Sequence, residues 1–139
     1  MILFIDTNIF LDVLLNREPL AENSEKVLNR CTGPGHKIYT SAISFANITY
    51  FLNKYRPAEA RFLLTQLLNT VHIADTVARD FEKALLSEMP DMEDAYQYYT
   101  ALKIRGLKYF ITRNTKHYKN ASVPIVTPEV FIKKQRIIK

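Results

Sequence analysis

The chain has 139 residues, a formal net charge of +5, 47% apolar and 24% charged residues, and one cysteine, Cys31. That balance suits one globular domain with a full core, and a lone cysteine excludes an internal disulfide or a cysteine-built metal site and fits a reducing compartment. No apolar run approaches the ~20 residues that cross a bilayer, and the start carries neither a basic segment nor a cleavage signal, so the chain reads as soluble and cytoplasmic.

Residues 2–5 are an unbroken apolar run of β-formers, the pattern of a strand buried on both faces of a parallel sheet. The run stops at Asp6. Asp6, Thr7 and Asn8 are all good helix N-caps, and Ile9, Leu11, Val13, Leu14 and Leu15 read as the helix that follows. Asp6 is therefore expected at the carboxyl end of a central strand, where open α/β sheets place their ligands. A carboxylate buried there needs a partner, either a metal ion or simply the helix start that it caps. Asp12 reads as a surface or cap residue.

Arg17-Glu18-Pro19 ends the first helix. Residues 22–30 have helical spacing until Thr32-Gly33-Pro34-Gly35 breaks it. A short strand is expected over 37–40, then Ser41 caps a helix over 42–55. Pro57 opens another, running to about Leu68. Residues 71–73 read as a strand, and Thr76 caps a helix through about Ser87, closed by Met89-Pro90. A long helix runs from Asp91 to about Arg105, with Gly106 as its stop. Residues 108–112 and 124–127 read as strands, and Thr127-Pro128-Glu129 caps a final short helix. The alternation predicts an α/β fold: a three-layer α/β/α sandwich on a central, mainly parallel sheet of four or five strands, one domain over 1–139.

Asp91, Glu93 and Asp94 open the long helix, where the helix dipole alone favours acids. Asp91, Asp94, Ala95, Tyr98 and Leu102 share a face, however, so Asp94 lies on or beside the apolar side. Glu93 is about 100° away around the axis and is expected to be exposed or to stand behind the site. If Asp94 meets Asp6, two charges about 4 Å apart repel by about 4 kcal/mol at an effective dielectric near 20. A proton or a cation must relieve that repulsion, and oxygen-only ligands suit Mg²⁺ or Mn²⁺.

The basic excess comes late, at Lys103, Arg105, Lys108, Arg113, Lys116 and Lys119, then Lys133, Lys134, Arg136 and Lys139. It reads either as a solvated face with a tail or as a surface that tracks phosphates. His36 and His72 have no partner pattern, and Cys31 reads as a buried small hydrophobe.

Three pieces, Phe4-Ile5-Asp6-Thr7-Asn8, Glu93-Asp94-Ala95 and Phe110-Ile111-Thr112-Arg113-Asn114, taken in this order, resemble the PIN domain family. The resemblance spans nearly the whole chain and is specific as a set. It implies a metal-dependent ribonuclease, often the toxin half of a bacterial toxin–antitoxin pair, that cuts RNA to leave a 5′-phosphate with Mg²⁺ or Mn²⁺ held by three or four acids. Carried over, Asp6 matches the first family acid, Asp94 the third and Asp91 an accessory acid. Thr112 and Asn114 match the polar pair beside the metal. The partners implied are an RNA substrate, an antitoxin protein and a second copy in a homodimer.

Two positions depart from the family pattern. Asn47 stands where a glutamate is usual, as in one branch of the family. It shares a face with Ile43, Tyr50, Phe51 and Lys54 and is expected to point inward, as a neutral ligand or to orient a water. His117 takes the place of the fourth acid. It could ligate Mn²⁺, contact the scissile phosphate, shuttle a proton, or be an exposed loop histidine with no task. Three acids nearly match one divalent ion, so one firm metal is expected, with any second arriving on the RNA phosphate. Arg113, Lys116 and Lys119 are expected on the RNA backbone. Tyr96, Tyr98 and Tyr99 are candidates for base stacking, but Tyr98 and Tyr99, on a helix with apolar spacing, read rather as core or dimer contacts.

The departures keep alive a degenerate PIN scaffold that binds RNA or protein without cutting. A phosphotransfer domain of the haloacid-dehalogenase or response-regulator type also puts an aspartate at a strand end. The first needs a second aspartate where Asn8 stands, and the second an acidic pair where this chain has one acid.

Overall fold

The computed structural model describes residues 1–137. Five parallel strands form its sheet: β1 (Ile2–Ile5), β2 (Lys37–Ser41), β3 (His72–Ala74), β4 (Leu107–Ile111) and β5 (Ile125–Val126), in the order β3-β2-β1-β4-β5. The helices are α1 (Thr7–Leu14), α2 (Leu20–Cys31), α3 (Ala42–Tyr55), α4 (Ala60–Thr70), α5 (Ala78–Leu86), α6 (Met92–Leu102) and α7 (Pro128–Ile137), with a 3-10 turn at Thr115–His117. This is the three-layer sandwich expected from the alternation.

Side chains alternate along each strand and so build two cores. Leu3 and Ile5 of β1, with Tyr109 and Ile111 of β4, face α1, α2, α3, α4 and α7. Phe4 and Phe110 face the other way, against α6, Tyr118 and Val123. These two rings are paired in register and stack at 4.8 Å. Burial on both faces explains why β1 reads as continuous apolar sequence rather than an alternating one.

Several boundaries differ from the sequence expectation, each for a local reason. Pro57 sits in a turn rather than in a helix, and α4 starts at Ala60 after Arg56 and Glu59 pair. Val77, not Thr76, is the N-cap of α5, because Asp80 reaches back to accept from the Val77 N–H. Thr76 spends its hydroxyl on Thr100 instead. Helix α6 ends at Leu102, where its last bonds tighten to Lys103 N–H→Thr100 and Ile104 N–H→Ala101. The chain then turns through Gly106 at φ +79°, a conformation that glycine adopts without strain.

Asp12 is also corrected. It is buried at 1% exposure, because Arg113 and Ser24 close over it from β4's end and from α2. Cys31 is buried as expected. Among the described residues no helix is long and apolar enough to cross a membrane. Lys139 lies outside the described residues, as does the side chain of Arg136.

Candidate active site

The order β3-β2-β1-β4-β5 reverses direction at β1: successive strands run one way from it to β2 and β3, and the other way to β4 and β5. Ligands bind at such a switch point, at the carboxyl ends of the strands. Asp6 follows β1 there and Thr112 follows β4. Asp6 is also the N-cap of α1, the local partner expected of it. Its Oδ1 accepts from the Thr7 N–H at 2.7 Å, and its Oδ2 from the Thr112 hydroxyl at 2.8 Å. The Thr112 oxygen in turn accepts from the Asn114 N–H at 3.2 Å. Asn114 therefore supports the site through its backbone.

Those bonds do not make Asp6 comfortable as an anion. Burial pushes its pKa from 3.8 to about 6, against the Thr112 bond that lowers it, and the Asp94 charge adds to the rise. Asp94, on the first turn of α6, is 7% exposed and near enough for its charge to act on Asp6. Burial also raises its pKa, which the His117 bond opposes and the Asp91 charge reinforces. His117 Nδ1 lies 2.7 Å from Asp94 Oδ2, and an ionised Asp94 requires the imidazole to be the donor. His117 is thus no idle loop residue. Asp91 is the N-cap of α6, and its Oδ1 accepts from the Asp94 N–H at 2.9 Å.

Asn47 is half-buried but does not reach Asp6: its amide donates to Glu93 Oε1 at 2.6 Å. Glu93 is drawn into the acidic group by this bond. Burial first, then the charges of Asp91 and Asp94, raise its pKa. Lys116 and Lys119 are exposed beside His117. Arg113 is not with them. It turns back under α1 and α2, where Nε donates to Asp12 Oδ2 at 2.8 Å and Nη2 donates to Asp12, Ser24 Oγ and the Leu20 carbonyl. Its guanidinium is engaged in a part-buried ion pair with the buried Asp12 rather than standing exposed with Lys116 and Lys119. Tyr98 is core, Tyr96 packs on Phe81, and Tyr99 stays half-exposed.

Three contributors escaped sequence reasoning. Gln97, one turn past Asp94, is 1% exposed, accepts from the Ser44 hydroxyl at 2.8 Å, and lowers the pKa of Asp6 through its side-chain amide. Its i+3 spacing from Asp94 was the available signal. Ser44 is hidden because it first reads as part of a cap: the Ser41 oxygen accepts from its N–H. Tyr118 follows His117, and its hydroxyl is held neutral by burial and by the charges of Asp6, Asp94 and Asp91.

Among the described residues no three His, Cys, Asp or Glu side chains already converge on one metal position. The donor set nevertheless fits a hard divalent cation. Mg²⁺ commonly takes one or two carboxylates and fills its remaining positions with water and substrate phosphate. Asp6 and Asp94 could supply the carboxylates. The buried hydroxyl of Thr7, next in the chain to Asp6, has no hydrogen-bond partner, so a polar atom at this strand end is still to be satisfied.

A sequence model of the PIN domain matches residues 3–116. No curated protein sequence matches the chain. Among solved structures, the chain is similar to a toxin–antitoxin complex from Klebsiella pneumoniae, at 27% identity over 90% of this chain and 96% of that one, with a TM-score of 0.66. It is similar to the structure of FitAB bound to an IR36 DNA fragment, at 20% identity over 92% and 95%, TM-score 0.70. It is also similar to Mycobacterium tuberculosis VapC20, a Sarcin-Ricin loop cleaving toxin, at 16% identity over 78% and 86%, TM-score 0.62. The last two likenesses carry the fold.

Proposed function

The chain belongs to the PIN domain family, and from that membership we propose that it is a divalent-metal-dependent endoribonuclease, the toxin of a toxin–antitoxin pair working in the cytoplasm. The observation that carries the reading is the buried Asp6–Asp94 pair at the switch point, with its oxygens fixed by Thr112 and His117. Burial raises both carboxyls, the Asp94 charge raises Asp6 further and the Asp91 charge raises Asp94, an arrangement that a cation relieves. The antitoxin partner is supported by the likeness to the Klebsiella toxin–antitoxin complex.

Asp6 and Asp94 would hold Mg²⁺ or Mn²⁺, with Asp91 at the exposed rim. When bound, such an ion supplies Lewis acidity at a phosphoryl oxygen and a more acidic water. The residues of the chain do the rest. Thr112, the Thr7 N–H and Gln97 hold Asp6 in one orientation, and His117 holds Asp94. The half-exposed imidazole would contact the scissile phosphate or pass a proton to the departing 3′-oxygen. Lys116 and Lys119 offset charge on flanking phosphates and carry no base information. The products are a 5′-phosphate and a 3′-hydroxyl.

The test is a titration of Mn²⁺ into the wild-type and Asp6→Asn proteins, beside an assay on a mixed RNA pool. Saturable binding lost in the variant, with 5′-phosphorylated products from the wild type alone, supports the reading. Neither binding nor cleavage leaves the non-cutting scaffold. One feature favours that second reading: Asn47 is engaged with Glu93, so the position usually filled by an acid gives Asp6 no charge.

A further inference from the structure

A cleft of about 720 Å³ opens beside the acids, between the 87–90 loop, the outer face of α6 and the segment 116–122. Its volume lies within the range of small-ligand sites, roughly 300–1,000 Å³. We infer that it is a subsite for one unpaired nucleotide of the bound strand, with the base against Tyr99 and the phosphate at Lys116 and Lys119. The inference rests on the ribonuclease reading for the identity of the strand.

Three observations carry it. First, the aromatic wall is rigid. Tyr99 meets Tyr98 edge-on at 5.2 Å. Tyr98 is itself fixed by the Ser122 N–H, which donates to its hydroxyl at 2.9 Å, and by the rings of Phe110 and Tyr118. A half-exposed ring held this way loses little freedom when a base stacks on it. Second, the charge is unspent. Lys116 and Lys119 line the cleft, and among the described residues neither pairs with a carboxylate. The lining carboxylate, Glu88, belongs to the 87–90 side, where it can accept from base amino groups. Third, the cleft and the acids share residues. His117 lines the cleft while its ring bonds Asp94, and Tyr118 lines it while its hydroxyl feels all three aspartates. A strand with its phosphate at Asp6 and Asp94 therefore continues into the cleft. A base still paired in a helix cannot turn onto such a wall, so the subsite selects unpaired segments.

The experiment uses the full chain carrying Asp6→Asn, in EDTA, and reads anisotropy of a labelled unpaired RNA hexamer, of the same hexamer with abasic positions, and of a duplex. The hexamer should bind best. Tyr99→Ala should weaken it about tenfold and the abasic hexamer should lose the same factor, whereas Tyr99→Phe should retain affinity. Lys116→Ala and Lys119→Ala should each flatten the log affinity against log salt slope by about 0.7, the value for one phosphate contact on a single strand. These exposed lysines test the idea even if Tyr99→Ala fails to fold. The subsite is overturned if the abasic hexamer or the duplex binds as well as the intact single strand, if the lysine variants leave the salt slope unchanged, or if a polyglutamate peptide competes equally. The wild-type cleavage assay separates the two readings. Cleavage without these binding changes removes the subsite alone, and the binding changes without cleavage remove the nuclease alone.

Discussion

His117 and Asp94 are 23 positions apart in the chain, yet Nδ1 of one lies 2.7 Å from Oδ2 of the other. The contact ties the 3-10 turn to the first turn of α6 and fixes which oxygen of Asp94 stays free. His117→Ala should lower cleavage about 10–100-fold, the usual loss when a residue orienting a ligand is removed. Its melting temperature should hardly move. His117→Asp should tighten Mn²⁺ binding by restoring a negative charge. An RNA cleavage assay checks the first and calorimetry with Mn²⁺ the second; unchanged turnover in His117→Ala would return the residue to a structural role.

Asp6 makes the metal-free protein less stable at neutral pH. Its pKa rises from 3.8 to about 6 on folding, chiefly through burial. Below about pH 4 both states are protonated and there is no penalty. As pH rises toward 6 the unfolded chain releases its proton first and stability falls. Above 6 the full cost, about 3 kcal/mol, is in place. Asp94 and Glu93, also raised by burial, act in the same direction. Asp80 opposes them: burial raises it, but the Lys103 bond, the Val77 N–H and the charges of Lys103 and Lys83 together outweigh that and lower it. Asp6→Asn should therefore raise the melting temperature at pH 7.5 in EDTA and flatten the loss between pH 4 and 6. Saturating Mn²⁺ should narrow the gap. An Asn variant that melts lower at pH 7.5 would refute the account.

Much of the site was legible because its signals are local. The run before Asp6 marks a doubly buried strand, and the spacing of Asp94 on α6 places it on the buried face. What was not legible depends on tertiary direction. Residue number gives no hint that Arg113, beside Thr112, swings away from it to Asp12. Nor does helical spacing decide whether Asn47 turns to Asp6 or to Glu93, since both lie near its face of α3. Pro57 and Thr76 have the right chemistry for helix starts, but competing bonds a few residues on, at Glu59 and Asp80, decide where those helices begin.

Arg113→Ala should cost about 3–5 kcal/mol, because it leaves the Asp12 carboxylate buried and unpaired. The double variant Asp12→Leu, Arg113→Met should recover most of that loss, since no isolated charge remains. Urea unfolding measures both. A residue on the RNA would behave in the opposite way, with weaker substrate binding and an unchanged midpoint.

Thr112→Val keeps the shape at the end of β4 and removes the hydroxyl that donates to Asp6. The hydrogen bond lowers the Asp6 pKa, so its loss should move the acid limb of the cleavage profile to higher pH. Cleavage should fall about 10–100-fold, with a small change in melting temperature. A pH–rate series with an unshifted limb would detach Thr112 from Asp6.

The position of β1 between β2 and β4 has a consequence for synthesis. The amino-terminal strand leaves the ribosome first but gains its second neighbour only when β4 has been translated. Until then Asp6 lacks Thr112, and one edge of its strand lies open. A nascent polypeptide stalled short of β4 therefore carries Asp6 without the hydroxyl that orients it.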